Sequence, residues 1–199
     1  MTTIHRHPEL DFVAETEVAP HGAARKALAV LRVAFGLTFL WAFADKLLAL
    51  GFHTGAVTNE EGARTGIDLM AKDAAWLNGG SPTEGFLTFG VPAHNPFKDL
   101  FNGMAGDAWV DWLFMAGLLG IGLALTFGFG MRIAAAAGAL LYLLMYAAVL
   151  PLENNPVIDD HLIGAVAVIV LALTLAGDTW GVGKAWARTR LVRRYPILR

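Results

Sequence analysis

The sequence predicts an all-α fold: an integral membrane four-helix bundle with short amphipathic helices in a long outer loop between its first and second spans. Three observations carry this expectation. The chain of 199 residues is 56% hydrophobic and 16% charged, whereas soluble domains are roughly 25% charged, and its mean hydropathy is +0.52. Two uncharged runs, Trp112 to Met131 and Ile133 to Leu152, each supply the ~20 residues that a helix needs to cross a ~30 Å hydrocarbon core. The basic residues, finally, collect on one side of the resulting map.

Taken in order, residues 1–26 form a polar N-terminal segment that holds Glu9, Asp11, Glu15 and Glu17 and ends in Arg25-Lys26. It lacks the basic head and apolar core of a secretory signal, so the first apolar stretch is expected to stay as a signal-anchor. The membrane domain is expected over 27–177, with spans at about 27–50, 110–131, 133–152 and 158–177. Arg32 lies near one end of the first span as an inside anchor or phospholipid contact, and Asp45-Lys46 lie near the other. Only Arg132 separates the second span from the third, so these two must be antiparallel neighbours joined by a tight turn near Thr126–Arg132. Small residues at Ala116, Gly120, Ala124 and Gly128, at Ala134 and Gly138, and at Gly164, Ala172 and Ala176 predict close helix packing.

The outer segment 51–108 is too long for a structureless loop in a compact domain. Thr58-Asn59-Glu60-Glu61 matches a capping box, and Ala63, Ile67, Met70, Ala74 and Leu77 follow at helical spacing. Ser81-Pro82 and Asn95-Pro96 offer two further helix starts, the latter stopped by Asn102-Gly103. The tail 178–199 is basic, with Lys184, Arg188, Arg190, Arg193, Arg194 and Arg199 against Asp178 alone. The segment 51–108 and the acidic stretch Glu153–Asp160 therefore face outside, and both termini face the cytoplasm.

Composition excludes several functions. The net charge of −2 gives no nucleic-acid footprint. The absence of cysteine removes disulfides, thiolate ligands and dithiol chemistry, and no span pairs histidines to ligate a haem. No metal spacing, phosphate loop or nucleophile elbow is present. What remains is ionisable groups at the outer span ends, where charge is costly in hydrocarbon. Asp45 and Lys46 end the first span, and Asp159, Asp160 and His161 begin the fourth, so two distant segments converge on one side. Trp41 stands one turn before Asp45. Such a set could bind a flat quinone ring, with Asp45 and His161 moving protons and Trp41, Lys46, Asp159 and Asp160 holding the ring. The bland alternatives are a snorkelling Lys46, helix-start acids at Asp159 and Asp160, and an interfacial His161.

The stretch Leu31-Arg32-Val33-Ala34-Phe35-Gly36-Leu37-Thr38-Phe39-Leu40-Trp41-Ala42-Phe43-Ala44-Asp45-Lys46 resembles the opening helix of the DoxX/DoxD family. So does Asn154-Asn155-Pro156-Val157-Ile158-Asp159-Asp160-His161 with the apolar helix after it. The likeness covers roughly residues 25 to 178. Phe43 departs from the small residue expected there, and the outer segment is longer than in short members. The resemblance implies a small four-helix protein of the bacterial plasma membrane, related to the membrane subunit of thiosulfate:quinone oxidoreductase. It implies quinone as cofactor, a partner subunit or homo-oligomer, and a lipid bilayer as surroundings. The leading expectation is thus a quinone-interacting redox subunit. A non-catalytic subunit docking a larger respiratory or oxidative-stress complex, and a small transporter or lipid-binding protein, are the alternatives.

Overall fold

A computed structural model describes residues 22–199; the greater part of the N-terminal segment, with His5, His7 and His21, lies outside the described residues. The chain is mostly helical. Helices α1 (Gly22–Leu48), α3 (Ala108–Phe127) and α4 (Met131–Ala148) are each long and apolar enough to cross a membrane. Helix α5 (Asp160–Leu173) is equally apolar, but its 14 residues span only ~21 Å at ~1.5 Å per residue. The short α2 (Lys98–Gly103) precedes α3, while α6 (Gly183–Ala187) and α7 (Arg190–Arg194) lie in the tail.

Packing follows the apolar faces. Helix α1 lies along α3, α4 lies along α5, and α3 against α4 joins the two pairs. The shared core contains Phe39 of α1, Met115, Leu118 and Leu125 of α3, and Val168 and Leu171 of α5. Apolar side chains also point outward, among them Leu37, Leu113, Leu140 and Leu173, at 54%, 66%, 59% and 70% exposure. A water-facing helix would carry polar groups on that face, so these apolar faces suit contact with a lipid bilayer, in keeping with a multi-pass membrane protein.

The closest helix approach requires glycine. A Cβ on Gly36 would stand 2.6 Å from the backbone nitrogen of Thr126, so α1 and α3 touch nearly backbone to backbone. The small-residue stripe predicted on the second span is only half used: Ala116 and Gly120 are exposed, while Gly122 packs against Leu40. The buried face is instead chosen by Met115, Leu118, Ile121 and Leu125, the larger apolar residues. Ala134, Gly138, Gly164, Ala172 and Ala176 are buried as small contact residues.

Several boundaries move from their predicted places, each for a local reason. The turn between α3 and α4 is tight because Gly128 and Gly130 adopt φ of +78° and +57°, open to glycine at little cost. Helix α4 stops at Ala148, short of 152, because the Asn95 side-chain amide takes the carbonyls of Ala147 and Ala148 at 2.8 and 2.9 Å. Helix α5 stops at Leu173, short of 177, where the Thr174 hydroxyl donates back to the Val170 carbonyl at 2.7 Å and Leu175 turns left-handed.

The largest correction concerns the outer segment. Where a capped amphipathic helix is expected from Thr58, the chain forms an antiparallel hairpin of β1 (Ala56–Thr58) and β2 (Arg64–Ile67). Asn59 closes its turn: the side-chain oxygen accepts from Ala63 N at 2.8 Å, and its own N–H donates to the Ala63 carbonyl at 2.9 Å. An Asn side chain that satisfies a local turn competes with helix, and β-branched Val57, Thr58, Thr65 and Ile67 favour strands. Trp76–Asn78 and Phe86–Gly90 make single tight and wide helical turns, and α2 follows Asn95-Pro96 and ends at Gly103.

At the opposite end of the bundle, Arg32 is fully buried. Its guanidinium donates to the carbonyls of Leu125, Thr126 (2.8 Å), Thr179 (3.3 Å) and Trp180 (3.0 Å). It therefore ties α1 to the last turn of α3, where the helix dipole is negative, and to the segment after α5. Arg32 is an internal clamp and not the interfacial anchor that its position in the sequence suggests. The tail folds back onto this end, with the Arg199 carbonyl accepting from Met131 N at 2.7 Å and the Leu198 carbonyl from Trp186 Nε1 at 2.7 Å.

Candidate functional site

At the hairpin end of the bundle, two buried carboxylates each hold a loop in place. Helix α1 ends at Leu48, and Ala49 turns the chain at φ +56°. The chain then loops back over Asp45, which is fully buried. The Asp45 carboxylate accepts N–H bonds from Phe52 (3.0 Å), His53 (2.9 Å) and Thr54 (3.2 Å), and the Thr54 hydroxyl donates to the Asp45 carbonyl at 2.6 Å. Converging amides of this kind compensate a carboxylate removed from water. In the first turn of α3, Asp111 does the same for the next loop. Its Oδ1 accepts from Ser81 Oγ (2.9 Å), Thr83 N (3.2 Å) and Thr83 Oγ1 (2.7 Å).

Between these loops and the helices lies a cavity of about 520 Å³. Its apolar wall comes from α3 (Val110, Phe114), from α4 (Leu141, Leu144, Met145) and from Leu87 and Phe101 of the outer layer. Its polar groups are Lys46, His53, Thr54, Ser81 and Thr83. Four of these five stand on the loops that Asp45 and Asp111 pin. The half-buried Lys46 reaches over the Phe114 ring at 5.9 Å, and His53 is solvent-exposed. A pocket lined mainly by apolar side chains with a few convergent polar groups is the usual form of a small-molecule site.

The residues singled out in the sequence are distributed unevenly about this cavity. Lys46 lines it. Asp45 does not, but it fixes the backbone of His53 and Thr54, which do. Trp41 is 47% exposed and meets Phe52 edge-on at 4.9 Å, while the Arg64 guanidinium covers the Phe52 ring at 4.5 Å. That stack secures the hairpin to α1. Asp159, Asp160 and His161 lie at the start of α5 and do not line the cavity. Asp159 is the N-cap, accepting from Leu162 N at 2.9 Å, and its other oxygen meets His161 Nδ1 at 2.6 Å. The His161 ring also lies 6.4 Å from Tyr142, which packs against Phe35 and Phe39. Asp45 and His161 thus belong to separate polar clusters at one end of the bundle.

The sequence reading gives His53 no part in a site, takes Asn95 only as a helix start and passes over Asp111. His53 and Asp111 sit just outside the apolar runs, and only the tertiary fold gives them partners. Among the described residues, no three His, Cys, Asp or Glu side chains gather as a metal site. Comparison with known proteins finds no family model that matches the chain, no similar curated protein and no similar solved structure.

Proposed function

We propose that the chain is a DoxX/DoxD-like protein of the bacterial plasma membrane, crossing it four times with both termini cytoplasmic. In this reading α5 is the fourth span, completed by the residues on either side of it, and the protein is a quinone-interacting subunit of a redox system such as a thiosulfate:quinone oxidoreductase. The observation that carries the functional part is the cavity at the hairpin end, where Lys46 and His53 face an apolar wall of α3 and α4. A quinone needs apolar surroundings for its ring and tail, and a donor at its carbonyl oxygens. The Lys46 ammonium supplies a donor inside the cavity, and the His53 imidazole, open to water, suits proton exchange with the ring oxygens. Reduction of a quinone takes up two electrons and two protons; a partner subunit or a second substrate provides the electrons.

The test is binding of a ubiquinone or menaquinone analogue to the full chain purified in detergent, together with quinone-dependent turnover in membranes. Lys46→Met is expected to weaken analogue binding about tenfold or more, the loss of one charge-assisted hydrogen bond, and His53→Ala about threefold or more, the loss of one ordinary hydrogen bond. His161→Ala, outside the cavity, should leave binding within about twofold. Unchanged binding in both cavity variants would overturn the quinone assignment. Exposed Phe89 (86%) and Leu100 (61%) in the outer layer favour a second reading, a docking subunit for a larger complex. Stoichiometric co-purification that is lost on Phe89→Ser, with no quinone bound, would support it.

A further inference from the structure

The tail makes a second cavity, of about 450 Å³, at the end of the bundle opposite the first. Lys184, Arg188, Arg193 and Arg199 line it, with Ala187 as the apolar contribution. These cations come from three short elements: α6 and the residue that ends it, α7, and the chain terminus after the last turn (Pro196–Leu198). Lys184 and Arg188 stand one helical turn apart, a spacing at which like charges repel. From residue 162 onward the sequence holds a single acid, Asp178, and it pairs with Arg199 at 2.9 Å. The other three cations are exposed.

The cradle is held open by the fold. Trp186 packs edge-on against Phe129 at 5.9 Å and donates to the Leu198 carbonyl. Val192 is buried, and the Thr189 side chain caps α7 by accepting from Val192 N at 3.3 Å. The Arg132 guanidinium reaches the Pro196 carbonyl at 3.3 Å. Lys184, Arg188 and Arg193 are held around one hollow by such contacts, beside an Arg199 that Asp178 already pairs, and the three repel one another unless a further anion enters. Large apolar residues, Val182 (48%) just before α6, Leu191 (50%) on α7 and Ile197 (64%) in the last turn, are exposed beside them. A cationic hollow beside exposed apolar side chains on a membrane protein matches a phosphate that carries acyl chains.

We infer that Lys184, Arg188, Arg193 and Arg199 form a binding site for the phosphate of an anionic phospholipid headgroup. Guanidinium groups suit phosphate oxygens through paired N–H donors. Arg199 is already oriented by Asp178, so Arg188 and Arg193 are the side chains to remove without disturbing the tail's attachment.

The experiment uses the full chain in nanodiscs made of phosphatidylcholine with a minority of phosphatidylglycerol, and native mass spectrometry to count lipid retained after release into detergent. Wild type is expected to retain phosphatidylglycerol over phosphatidylcholine. The double variant R188Q/R193Q should lose that preference by roughly tenfold or more, as expected for two surface-proximal charges, while its thermal midpoint in phosphatidylcholine alone stays unchanged. Inorganic phosphate at millimolar concentration separates a headgroup from a free anion. If phosphate binds the wild type but phosphatidylglycerol is not preferred, the lipid assignment fails. Equal retention of the two lipids without phosphate binding, or an unaltered preference in R188Q/R193Q with its fold intact, would overturn the site itself.

Discussion

Asp45 shows how one side chain can stabilise a structure and shape a site at once. A carboxylate with no solvent exposure is tolerable at the end of a membrane helix because three backbone amides and a hydroxyl surround it. Each hydrogen bond to a charged acceptor contributes about 1.5–3 kcal/mol, and removal of the acceptor leaves amides of the loop unpaired. Asp45→Ala is therefore expected to destabilise the hairpin end by about 2–4 kcal/mol, measured by denaturant titration in detergent. It should also weaken ligand binding through displacement of His53 and Thr54. A variant with unaltered stability would mean that water replaces the carboxylate at no cost. The sequence marks Asp45 clearly, since an acid in an apolar run demands a partner. It does not mark the partner: amides at 52–54 have no signature in composition or spacing. Asp111 is hidden for the same reason, as it looks like an ordinary acid at the start of a span.

Among the elements, helices α1, α3 and α4 were readable as apolar runs of span length, because a lipid-facing helix needs little beyond length and hydropathy. Their ends were not readable, because side chains distant in sequence set them, as Asn95 does at Ala148. The hairpin was missed because Asn59 serves equally in a capping box and in a turn, and only its pairing with Ala63 decides. Close helix contact gives a prediction at this scale. An exposed helical glycine gains up to ~1 kcal/mol on replacement by alanine, from helix propensity. At Gly36 the new methyl would stand 2.6 Å from the Thr126 backbone nitrogen, and overpacking costs about 1–3 kcal/mol. The clash outweighs the propensity, so Gly36→Ala should be net destabilising. Gly120→Ala, with open space around the Cβ, should be neutral or stabilising. Thermal unfolding of the two variants side by side checks the α1–α3 approach, and equal midpoints would contradict it.

For the whole molecule, the proposed path through the membrane turns on α5, the shortest of the four long helices. Because the chain has no cysteine, single cysteines report on it directly. Glu153→Cys, between α4 and α5, should react with a membrane-impermeant maleimide on intact cells. Arg190→Cys, in the tail, should react only after permeabilisation. Reaction of both from one side would mean that α5 does not cross. If α5 crosses as proposed, the two cavities would lie at opposite faces, the Lys46–His53 cavity outside and the arginine cradle inside, and one molecule would present an apolar-ligand site and an anion site to different leaflets. The central claim is that the first of these holds a quinone. Photolabelling with an azido-quinone, followed by peptide mapping, tests it most directly. Adducts within residues 82–87, 101–114 and 141–148, suppressed by excess unlabelled quinone, are the predicted result. Adducts spread over the lipid-facing side chains of α1 and α5, with no competition, would contradict it.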